Sequence, residues 1–404
     1  MQKSIDMSVS ERWLLPDGVD ELLPPEAWAV EQMRRSMLDA YSRYGYELVS
    51  PPLIEYIESL LTGTGNDLDL QTFKVTDQLT GRMMGVRADI TPQVARIDTH
   101  LLKSKGITRL CYVDTVLHTR PAHTMTNRSP LQIGCELFGE AGQSADIEII
   151  SLMLNTLELA GVKQIHIDLA HVGIYRGLVE STEMSQEVES KLFDALSRKS
   201  LPDLNALAID AANDAVVIRL ISDIANLSGG VQALGQIRAK VAKLEPSLPA
   251  VISAIDELQS ISQQIHQRFS GVEIGFDFCE LRGYNYHTGI LFSAFSTNYG
   301  YALAKGGRYD DVGKDFGESR PATGFSADLK ALVRLAENNA AQTIDAPSGI
   351  LAPAGSDEAL LAQITELRKT ERVVQQLSAQ DERETYNCHK RLVFENGQWQ
   401  LTEI

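Results

Sequence analysis

The chain has 404 residues, which is too many for one ordinary hydrophobic core, so we expect two or three domains. Its composition, 44% hydrophobic and 23% charged, excludes a largely disordered or fibrous protein. Asp and Glu outnumber Lys and Arg by 54 to 37, and the resulting net charge of −17 argues against a broad nucleic-acid-binding surface.

Neither a targeting segment nor a metal site is predicted. The N-terminal sequence MQKSIDMSVSERW lacks a basic region followed by an apolar run, and no apolar stretch reaches the roughly 18 residues of a membrane span. The eight histidines show no ligand spacing. The cysteines form no CxxC pair, which favours a reducing compartment; they are Cys111, Cys135, Cys279 and Cys388. We therefore expect a cytoplasmic protein without a metal or cofactor.

Short strands dominate the first part of the chain. After Pro24-Pro25, helical spacing of apolar residues predicts a helix over 30–44, which Gly45 ends. Further helices are predicted near Pro92–Ser104 and over 147–157. Strands are predicted at Glu47–Val49, Thr72–Thr76, Arg82–Val86, Leu110–Val116, Leu131–Phe138 and Ile165–Leu169.

The pattern becomes purely helical from Ile174 to about Arg268, with turn signals at Ser200–Pro202 and Gly229-Gly230. Strands resume at Val272–Phe278, Ile290–Phe295 and Tyr299–Leu303. A linker follows at Thr343–Gly349, and the end of the chain predicts strand, helix, strand and two short strands. We expect an α+β fold with an antiparallel sheet. The expected domains are 1–173 with 269–338 as the core, 174–268 as a helical insertion, and 339–404 as a linker with a small α/β module.

Two polar motifs lie in apolar strand surroundings. In Arg-Ala-Asp-Ile-Thr-Pro, Thr91 and Pro92 predict a helix start with Thr91 as the N-cap, so a capping turn built on Asp89 is the simplest interpretation. In the strand around Gly134, Gln132 and Glu136 share one face. This face either recognises a polar ligand with N–H donors or points to solvent.

Two further motifs occur later in the chain. In Leu-Arg-Gly-Tyr-Asn-Tyr-His-Thr-Gly, Arg282 stands beside a glycine and aromatic residues, an arrangement that suits either a carboxylate clamp or a surface turn. In Lys-Gly-Gly-Arg-Tyr-Asp, the pair Gly306-Gly307 either lets the backbone approach a ligand closely or makes a turn. Phosphate-binding glycine loops and metalloprotease motifs are absent from the sequence.

In this order, the four motifs resemble histidyl-tRNA synthetases over about residues 14–338. RADIT resembles the family's histidine-binding Arg-Pro-Glu-x-Thr loop, and QIGCELFG matches its Gln-x-Gly-x-Glu strand. LRGYNYHTG and KGGRYDDV resemble its two histidine-specific segments, and YGYELVSPPLIE resembles the motif that builds the class II dimer interface. The resemblance implies a class II synthetase-like antiparallel sheet core with a helical insertion. It also implies a histidine-like pocket formed by Asp89, Thr91, Gln132, Glu136, Arg282, Tyr286 and His287.

The departures from the family concern adenylation. Leu117 and Thr119 stand where the family's second motif has an arginine and a glutamate, and Ala331 replaces the third-motif arginine that grips the γ-phosphate. Losing one preorganised donor typically costs about 3–4 kcal/mol of transition-state stabilisation. In the pocket, Asp89 replaces a glutamate and His287 replaces a tyrosine. The resemblance therefore implies a histidine-like pocket without the ATP chemistry.

The tail also departs from the family. Residues 340–404 carry 10 acidic and 6 basic side chains, which makes a poor surface for RNA. This segment is also shorter than the family's anticodon-binding domain. A synthetase-like chain with these losses resembles the regulatory subunits of ATP phosphoribosyltransferase, which act in the first step of histidine biosynthesis. This implies no catalytic residue of its own, a homodimer, and a hetero-oligomer with the short catalytic subunit. It also implies allosteric activation and feedback inhibition by L-histidine, bound either in the synthetase-like pocket or at a subunit interface. A degenerate histidyl-tRNA synthetase and a stand-alone histidine sensor or RNA-binding paralogue are the alternatives.

Overall fold

The computed structural model describes residues 14–62, 66–121, 127–210, 214–244, 248–278, 280–281, 286–317, 319–338, 348–378 and 386–404. The chain forms two compact units. One comprises Met1–Asp20 with Met33–Asn339, and the other comprises Glu21–Gln32 with Ala340–Ile404. This grouping differs from the predicted domains at Glu21–Gln32, which the sequence placed in the core.

The first unit is built on a large, mostly antiparallel sheet. Its strands, with those of a smaller sheet, are β1 (Glu47–Leu48), β2 (Ile54–Tyr56), β3 (Phe73–Thr76), β4 (Met83–Val86), β5 (Thr108–Thr115), β6 (Leu131–Phe138), β7 (Ile165–His171), β8 (Ser228–Gly229), β9 (Glu273–Asp277), β10 (Ile290–Ser296), β11 (Tyr299–Arg308) and β12 (Ala322–Asp328). The large sheet has the order β1-β5-β6-β12-β11-β10-β7-β9-β8, and the smaller one has the order β2-β4-β3. The pairs β1–β5 and β7–β9 are parallel, while β6, β12, β11, β10 and β7 pair antiparallel. The predicted α+β class is confirmed.

Helices separate the strands along the chain. They are α1 (Glu26–Arg43), α2 (Ile57–Leu60), α3 (Asn66–Gln71), α4 (Thr91–Arg96), α5 (Gln143–Leu159), α6 (Val172–Glu180), α7 (Gln186–Ser197), α8 (Leu201–Asp210), α9 (Ala215–Ala225), α10 (Val231–Val241), α11 (Pro249–Arg268) and α12 (Leu329–Asn338). A π-helical turn, Ile97–Leu102, extends α4, and a 3₁₀ turn covers Val312–Phe316. Helices α6 to α11 occupy the stretch predicted to be helical.

Helix α5 covers one face of the large sheet. It begins after Gly142 and ends before Gly161, whose φ of +71° suits a helix stop. Its apolar side chains are buried, and Thr156 shares a hydrogen bond of 3.1 Å with the hydroxyl of Tyr41 on α1. The Tyr41 ring in turn meets Phe325 of β12 edge to face at 6.3 Å. The opposite face of the sheet is therefore the one available for a site.

The sequence prediction missed or misjudged several features of this unit, among them β2, α2 and α3, which were not predicted. Strand β12 was not predicted, because Ala-Thr-Gly-Phe-Ser-Ala-Asp is rich in small residues and lacks clear alternation. Strand β11 continues through Gly306-Gly307, so the turn interpretation of that pair is wrong. Strand β8 overlaps the predicted turn signal Gly229-Gly230, since Ser228 and Gly229 pair with β9 and form the edge of the sheet.

One buried arginine ties several segments together. The Arg87 side chain is 1% exposed, and its guanidinium donates to the carbonyl oxygens of Thr115 at 2.9 Å and Pro51 at 2.7 Å. It also pairs with Asp114 at 2.7 Å. A buried guanidinium needs several hydrogen-bond acceptors and a counter-charge, because an unpaired charge in the interior is costly. Arg87 thus joins the end of β5 to the chain before β2.

The second unit carries a small mixed sheet. Its elements are β13 (Gly349–Ala352), α13 (Glu358–Leu367), β14 (Val373–Gln375), β15 (Cys388–Glu395) and β16 (Gln398–Glu403), and the strand order is β14-β13-β15-β16. Its core includes Ile350, Leu360, Ile364 and Leu392. The order strand, helix, strand and two strands is as predicted. Residues 343–347 of the predicted linker lie outside the described residues.

Candidate functional site: a polar pocket on the sheet face

The register of β6 and β12 brings polar side chains onto one face. Gln132 lies opposite Asp328, and Glu136 lies opposite Gly324. Residues directly opposite in a ladder point to the same face, and alternate residues of one strand do so as well. The predicted shared face of Gln132 and Glu136 is therefore confirmed. Glu136 is only 1% exposed, so the interpretation of this face as solvent-facing is wrong.

Glu136 is the centre of a hydrogen-bond network. Its Oε1 accepts from the hydroxyls of Thr91 and Tyr112, each at 3.0 Å, and its Oε2 accepts from the hydroxyl of Tyr309. Burial raises the pKa of Glu136 to about 8, although these three hydrogen bonds lower it and the charge of Asp89 raises it. The side chain consequently holds its proton over much of the neutral range.

The loop before α4 is fastened to β6 by an amide. Gln132 Nε2 donates to Asp89 Oδ1 at 2.8 Å, and Gln132 Oε1 accepts from the backbone N–H of Ile90 at 3.0 Å. Asp89 Oδ1 also accepts from the backbone N–H of Thr91 at 3.1 Å. The predicted N-cap was wrong by one residue: Ile90 holds that position, and the Thr91 hydroxyl turns to Glu136 instead. Four predicted pocket residues therefore meet.

Two glycines make room for these side chains. A Cβ at position 324 would lie 1.5 Å from Glu136 Oε2, and a Cβ at position 134 would lie 2.5 Å from the Tyr112 hydroxyl oxygen. Real Cβ contacts are never this short, so any side chain at either position displaces a member of the network. The glycines of QIGCELFG and of β12 thus serve close approach between the strands.

Tyr286 and His287 lie beside this network. The Tyr286 ring stacks on Tyr309 with centroids 5.1 Å apart, and the His287 ring meets Tyr286 edge to face at 5.3 Å. A Cβ at Gly307 would lie 2.7 Å from His287 Cδ2, so the missing side chain at this position makes room for the histidine ring. Within the described part of the chain, the buried Tyr286 hydroxyl has no hydrogen-bond partner. Arg282 lies outside the described residues.

The segment that carries these aromatic residues is anchored by an ion pair in the core. Thr288 N donates to the Arg308 carbonyl oxygen at 2.8 Å, and the Arg308 guanidinium bonds Asp146 Oδ2 of α5 at 2.8 Å. Both charged side chains are nearly inaccessible, at 6% and 0% exposure. Such a pair holds its geometry tightly, because breaking it leaves an uncompensated charge. It fixes the strand end that presents Tyr309.

Tyr112 and Tyr309 belong to the Glu136 hydrogen-bond network, but the sequence-based prediction did not name them. Tyr309 stands within the KGGRYDDV segment, so the motif itself was the signal. Tyr112 stands in the apolar run of β5, where a buried tyrosine is indistinguishable from ordinary core until its hydroxyl partner is known. Burial raises the pKa of both phenols well above the ordinary value, so both remain protonated donors.

The three positions at which the family has adenylation residues carry no cation. Leu117 donates its backbone N–H to the Arg87 carbonyl oxygen at 3.0 Å. Thr119 is bound to backbone: its N–H donates to Gln71 O at 2.9 Å, and its hydroxyl donates to Leu70 O at 2.7 Å. Ala331 lies in the first turn of α12. Neither a leucine, a threonine nor an alanine side chain supplies the positive charge that phosphoryl chemistry requires.

Neither a metal-binding cluster nor a membrane-spanning helix occurs among the described residues. They contain no cluster of three or more His, Cys, Asp or Glu side chains arranged to hold a metal ion. None of the helices in the described ranges is long and apolar enough to cross a membrane.

Comparisons with known proteins agree along the whole chain. A family model described as Histidyl-tRNA synthetase matches residues 18–332, and one described as ATP phosphoribosyltransferase subunit HisZ C-terminal domain matches residues 347–402. A protein of Marinobacter nauticus named ATP phosphoribosyltransferase regulatory subunit is 51% identical, covering 98% of this chain and all of the relative. The chain belongs to the family of ATP phosphoribosyltransferase regulatory subunits. The predicted family is confirmed.

Solved structures give the same fold for this regulatory-subunit family member. One from Bacillus halodurans C, described as an ATP phosphoribosyltransferase regulatory subunit/histidyl-tRNA synthetase, has a TM-score of 0.79 at 24% identity and covers 97% of this chain and 99% of that one. The ATP phosphoribosyl transferase (HisG:HisZ) complex from Thermotoga maritima has a TM-score of 0.57 at 18% identity, covering 74% and 96%. The class II synthetase-like core predicted from the motifs is thereby confirmed.

Proposed function

We propose that this chain is the non-catalytic regulatory partner of a short-form ATP phosphoribosyltransferase catalytic subunit and makes that subunit sensitive to histidine. The full-length similarity to named regulatory subunits carries this proposal. The Thermotoga maritima complex, which pairs HisG with HisZ, supports a hetero-oligomer. In this complex the catalytic subunit transfers the phosphoribosyl group. The cytoplasm suits the role, because Cys111, Cys135 and Cys388 are free thiols.

Reconstitution tests the regulatory role. The full chain is titrated into a short catalytic subunit, and phosphoribosyl transfer is measured with and without histidine. Allosteric couplings of about 1–3 kcal/mol correspond to changes of roughly 5- to 150-fold. We expect turnover to rise within that range and histidine to reverse the rise. An unchanged rate at excess regulator, with no co-elution of the two proteins, contradicts the proposal.

The proposed function excludes adenylation by the chain itself. Leu117 and Ala331 leave the two arginine positions that bind the carboxylate and phosphates in the synthetase family without positive charge, and Thr119 replaces a glutamate. Two missing arginines, each worth about 3–4 kcal/mol when removed singly, make useful aminoacyl-adenylate formation implausible. Histidine-dependent exchange of pyrophosphate into ATP should be undetectable with purified protein. Exchange at a synthetase-like rate supports the degenerate-synthetase alternative instead.

We place the effector histidine in the polar pocket. Asp89 and Glu136 provide carboxyl groups for an ammonium group and an imidazole N–H, and the resemblance to the synthetase family assigns the guanidinium for the carboxylate to Arg282. The unpartnered Tyr286 hydroxyl is available for one further polar group. Because Glu136 has a pKa of about 8, an ammonium group bound beside it favours its ionised form. Histidine binding near pH 7 should therefore release a proton.

Calorimetry tests this site in two ways. Titrations in buffers with different ionisation enthalpies should give different binding enthalpies, in proportion to the proton released. Thr91→Val removes the hydroxyl that donates to Glu136 while keeping the shape, and it should weaken histidine binding roughly 10-fold, as expected for one lost bond to a charged group. Thr365→Val makes the same change on α13 and should have no effect. If Thr91→Val binds normally, the effector site lies elsewhere.

We also propose a homodimer built on the segment that resembles the class II dimer motif. Tyr44, Leu48, Leu53 and Ile54 are each 42–55% exposed in this segment. An apolar patch of this kind indicates an interface, and a two-fold contact uses the same patch on both copies. Sedimentation of the wild-type chain should show a dimer. Leu48→Asp should dissociate it, whereas Leu79→Asp, at a 94% exposed leucine outside the segment, should not. A dimer that persists in the Leu48 variant contradicts the proposed surface.

The domain division is proposed as the sequence predicts it, with a core of residues 1–173 and 269–338, a helical insertion at 174–268, and a C-terminal module at 339–404. Helices α6 to α11 follow one another with only the two-residue strand β8 among them, which supports a helical insertion. The family model that matches residues 347–402 supports a separate C-terminal module. A chain that ends at Asn338 tests the division, because it should retain histidine binding. Loss of binding in a folded truncated chain contradicts it.

A further inference from the structure

The first described residues form a short segment, Leu14–Asp20, which we call the N-terminal strap. It lies against the chain that leads into β6. The backbone N–H of Arg128 donates to Gly18 O at 2.6 Å, and the Arg128 guanidinium donates to Asp17 O at 3.0 Å. The Arg128 side chain also packs against Gly18. The strap ends at Asp20, whose side chain points at α12.

The Asp20 carboxylate is bound by three donors. Oδ1 accepts from Lys330 Nζ at 2.9 Å and from Asn127 Nδ2, and Oδ2 accepts from an Arg334 guanidinium nitrogen at 2.5 Å. Lys330 Nζ also donates to Ser129 O at 2.9 Å. Burial alone raises the pKa of Asp20, but the bonds from Arg334, Lys330 and Asn127 lower it to about 2. The carboxylate is thus an anion at any physiological pH.

These donors match what an oxyanion requires. A lysine, an arginine and an amide converge on one pair of oxygens, and charge-assisted bonds of this kind also recognise phosphate. Lys330 is only 8% exposed, so its ammonium group needs a counter-charge in place. By contrast, the side chains of Asp20 and Arg334 remain 30% and 40% exposed. The position is therefore occupied by an anion and still open to solvent.

We propose that Asn127, Lys330 and Arg334 form a binding site for a phosphate-bearing ligand, and that the Asp20 carboxylate occupies this site until such a ligand displaces it. The strap is then an intramolecular competitor. A tethered group acts at an effective concentration on the order of millimolar. An external anion must compete with the Asp20 carboxylate at that concentration to occupy the site. The site needs neither the histidine pocket nor a catalytic partner, so its test is independent of the proposed function.

The test is anion rescue of Asp20→Ala in the full-length chain. Removing the carboxylate takes away the counter-charge that is hydrogen-bonded to Lys330, leaves only the Asp328 carboxyl group nearby, and lowers the melting temperature. Inorganic phosphate and pyrophosphate, titrated at constant ionic strength with sodium chloride, should restore it with saturation. The apparent affinity should be at least about 10-fold tighter than in the wild type, where the tethered carboxylate competes. Asp17→Ala removes a charge from the same strap without emptying the site, and it should behave like the wild type.

Three results overturn the proposal: Asp20→Ala melts like the wild type, neither phosphate compound stabilises it more than chloride does, or Asp17→Ala responds equally. If Asp20→Ala does not fold, amide hydrogen exchange of the wild-type chain tests the proposal instead. Pyrophosphate at tens of millimolar should then speed amide exchange over Gly18–Asp20, and Arg334→Gln should abolish this response. Unchanged exchange across that titration also overturns the proposal.

Discussion

Glu136→Gln tests the central claim about the pocket, that a buried carboxyl there is held neutral. The folded-state pKa is about 8, and the ordinary value is 4.5. Between these values the folded chain binds a proton that the unfolded chain has released. The free energy of unfolding therefore falls as pH rises through this window, and the fall ends once pH exceeds the folded pKa. Glutamine mimics the neutral acid at every pH, so this dependence should vanish in the variant.

The size of the effect follows from the two pKa values. One unit of pKa difference is worth about 1.4 kcal/mol, so from pH 5.5 to pH 7.5 the wild type should lose about 2.5 kcal/mol that the variant keeps. The comparison isolates Glu136, because all other titrating groups are common to both proteins. This is a large share of the roughly 5–15 kcal/mol by which a folded domain is usually stable.

Urea unfolding at half-unit steps from pH 5.5 to pH 7.5 provides the measurement. The difference in unfolding free energy between wild type and Glu136→Gln is plotted against pH and should change steadily in favour of the variant. Glu395→Gln, which changes an exposed glutamate at the end of β15, should give a flat difference. A flat difference for Glu136→Gln as well would show that the buried carboxyl is ionised and refute the argument.

Other substitutions test the packing around this carboxyl. Gly324→Ala places a Cβ 1.5 Å from Glu136 Oε2 and should destabilise the chain by about 1–3 kcal/mol and abolish histidine binding, whereas Gly300→Ala meets nothing within 4 Å and should do neither. Calorimetry of both variants is the check, and a stable Gly324→Ala that binds histidine would contradict the geometry. Tyr309→Phe removes one hydrogen-bond donor to the Glu136 carboxyl group. It should lower the free energy of unfolding in urea by about 1 kcal/mol and raise the pKa of Glu136. An unchanged pH profile would mean that this bond is not formed.

The sequence predicted much of this molecule, and its failures have identifiable causes. Alternation gave the positions of β6, β7 and β10, and helical spacing gave α5. Strand β12 was not predicted because its small residues have low strand propensity, and Gly324, which makes room for Glu136, adds to that low propensity. Thr91 was assigned to a helix cap because local patterns contain no information about Glu136, 45 residues away in the chain.

The candidate site shows the same limit. Motif resemblance led to Asp89, Gln132 and Glu136, and strand register brings them together. No local pattern distinguishes Tyr112 from an ordinary core tyrosine, since its role depends on a hydroxyl partner in the neighbouring strand. Composition does not predict the strap either. Asp20 is one of many acidic residues, and only the folded chain brings it to Lys330 and Arg334 of α12.

Arg87 has a consequence for communication between sites. Its side chain grips Pro51 and the end of β5, while its backbone continues within two residues to Asp89 in the pocket. Pro51 precedes the exposed leucine and isoleucine proposed as the dimer surface. If histidine binds beside Asp89 and the dimer forms through this surface, as proposed, a shift of the loop that carries Asp89 would reach the surface through the Arg87 guanidinium. Histidine bound in one protomer would then have a direct structural route to the other.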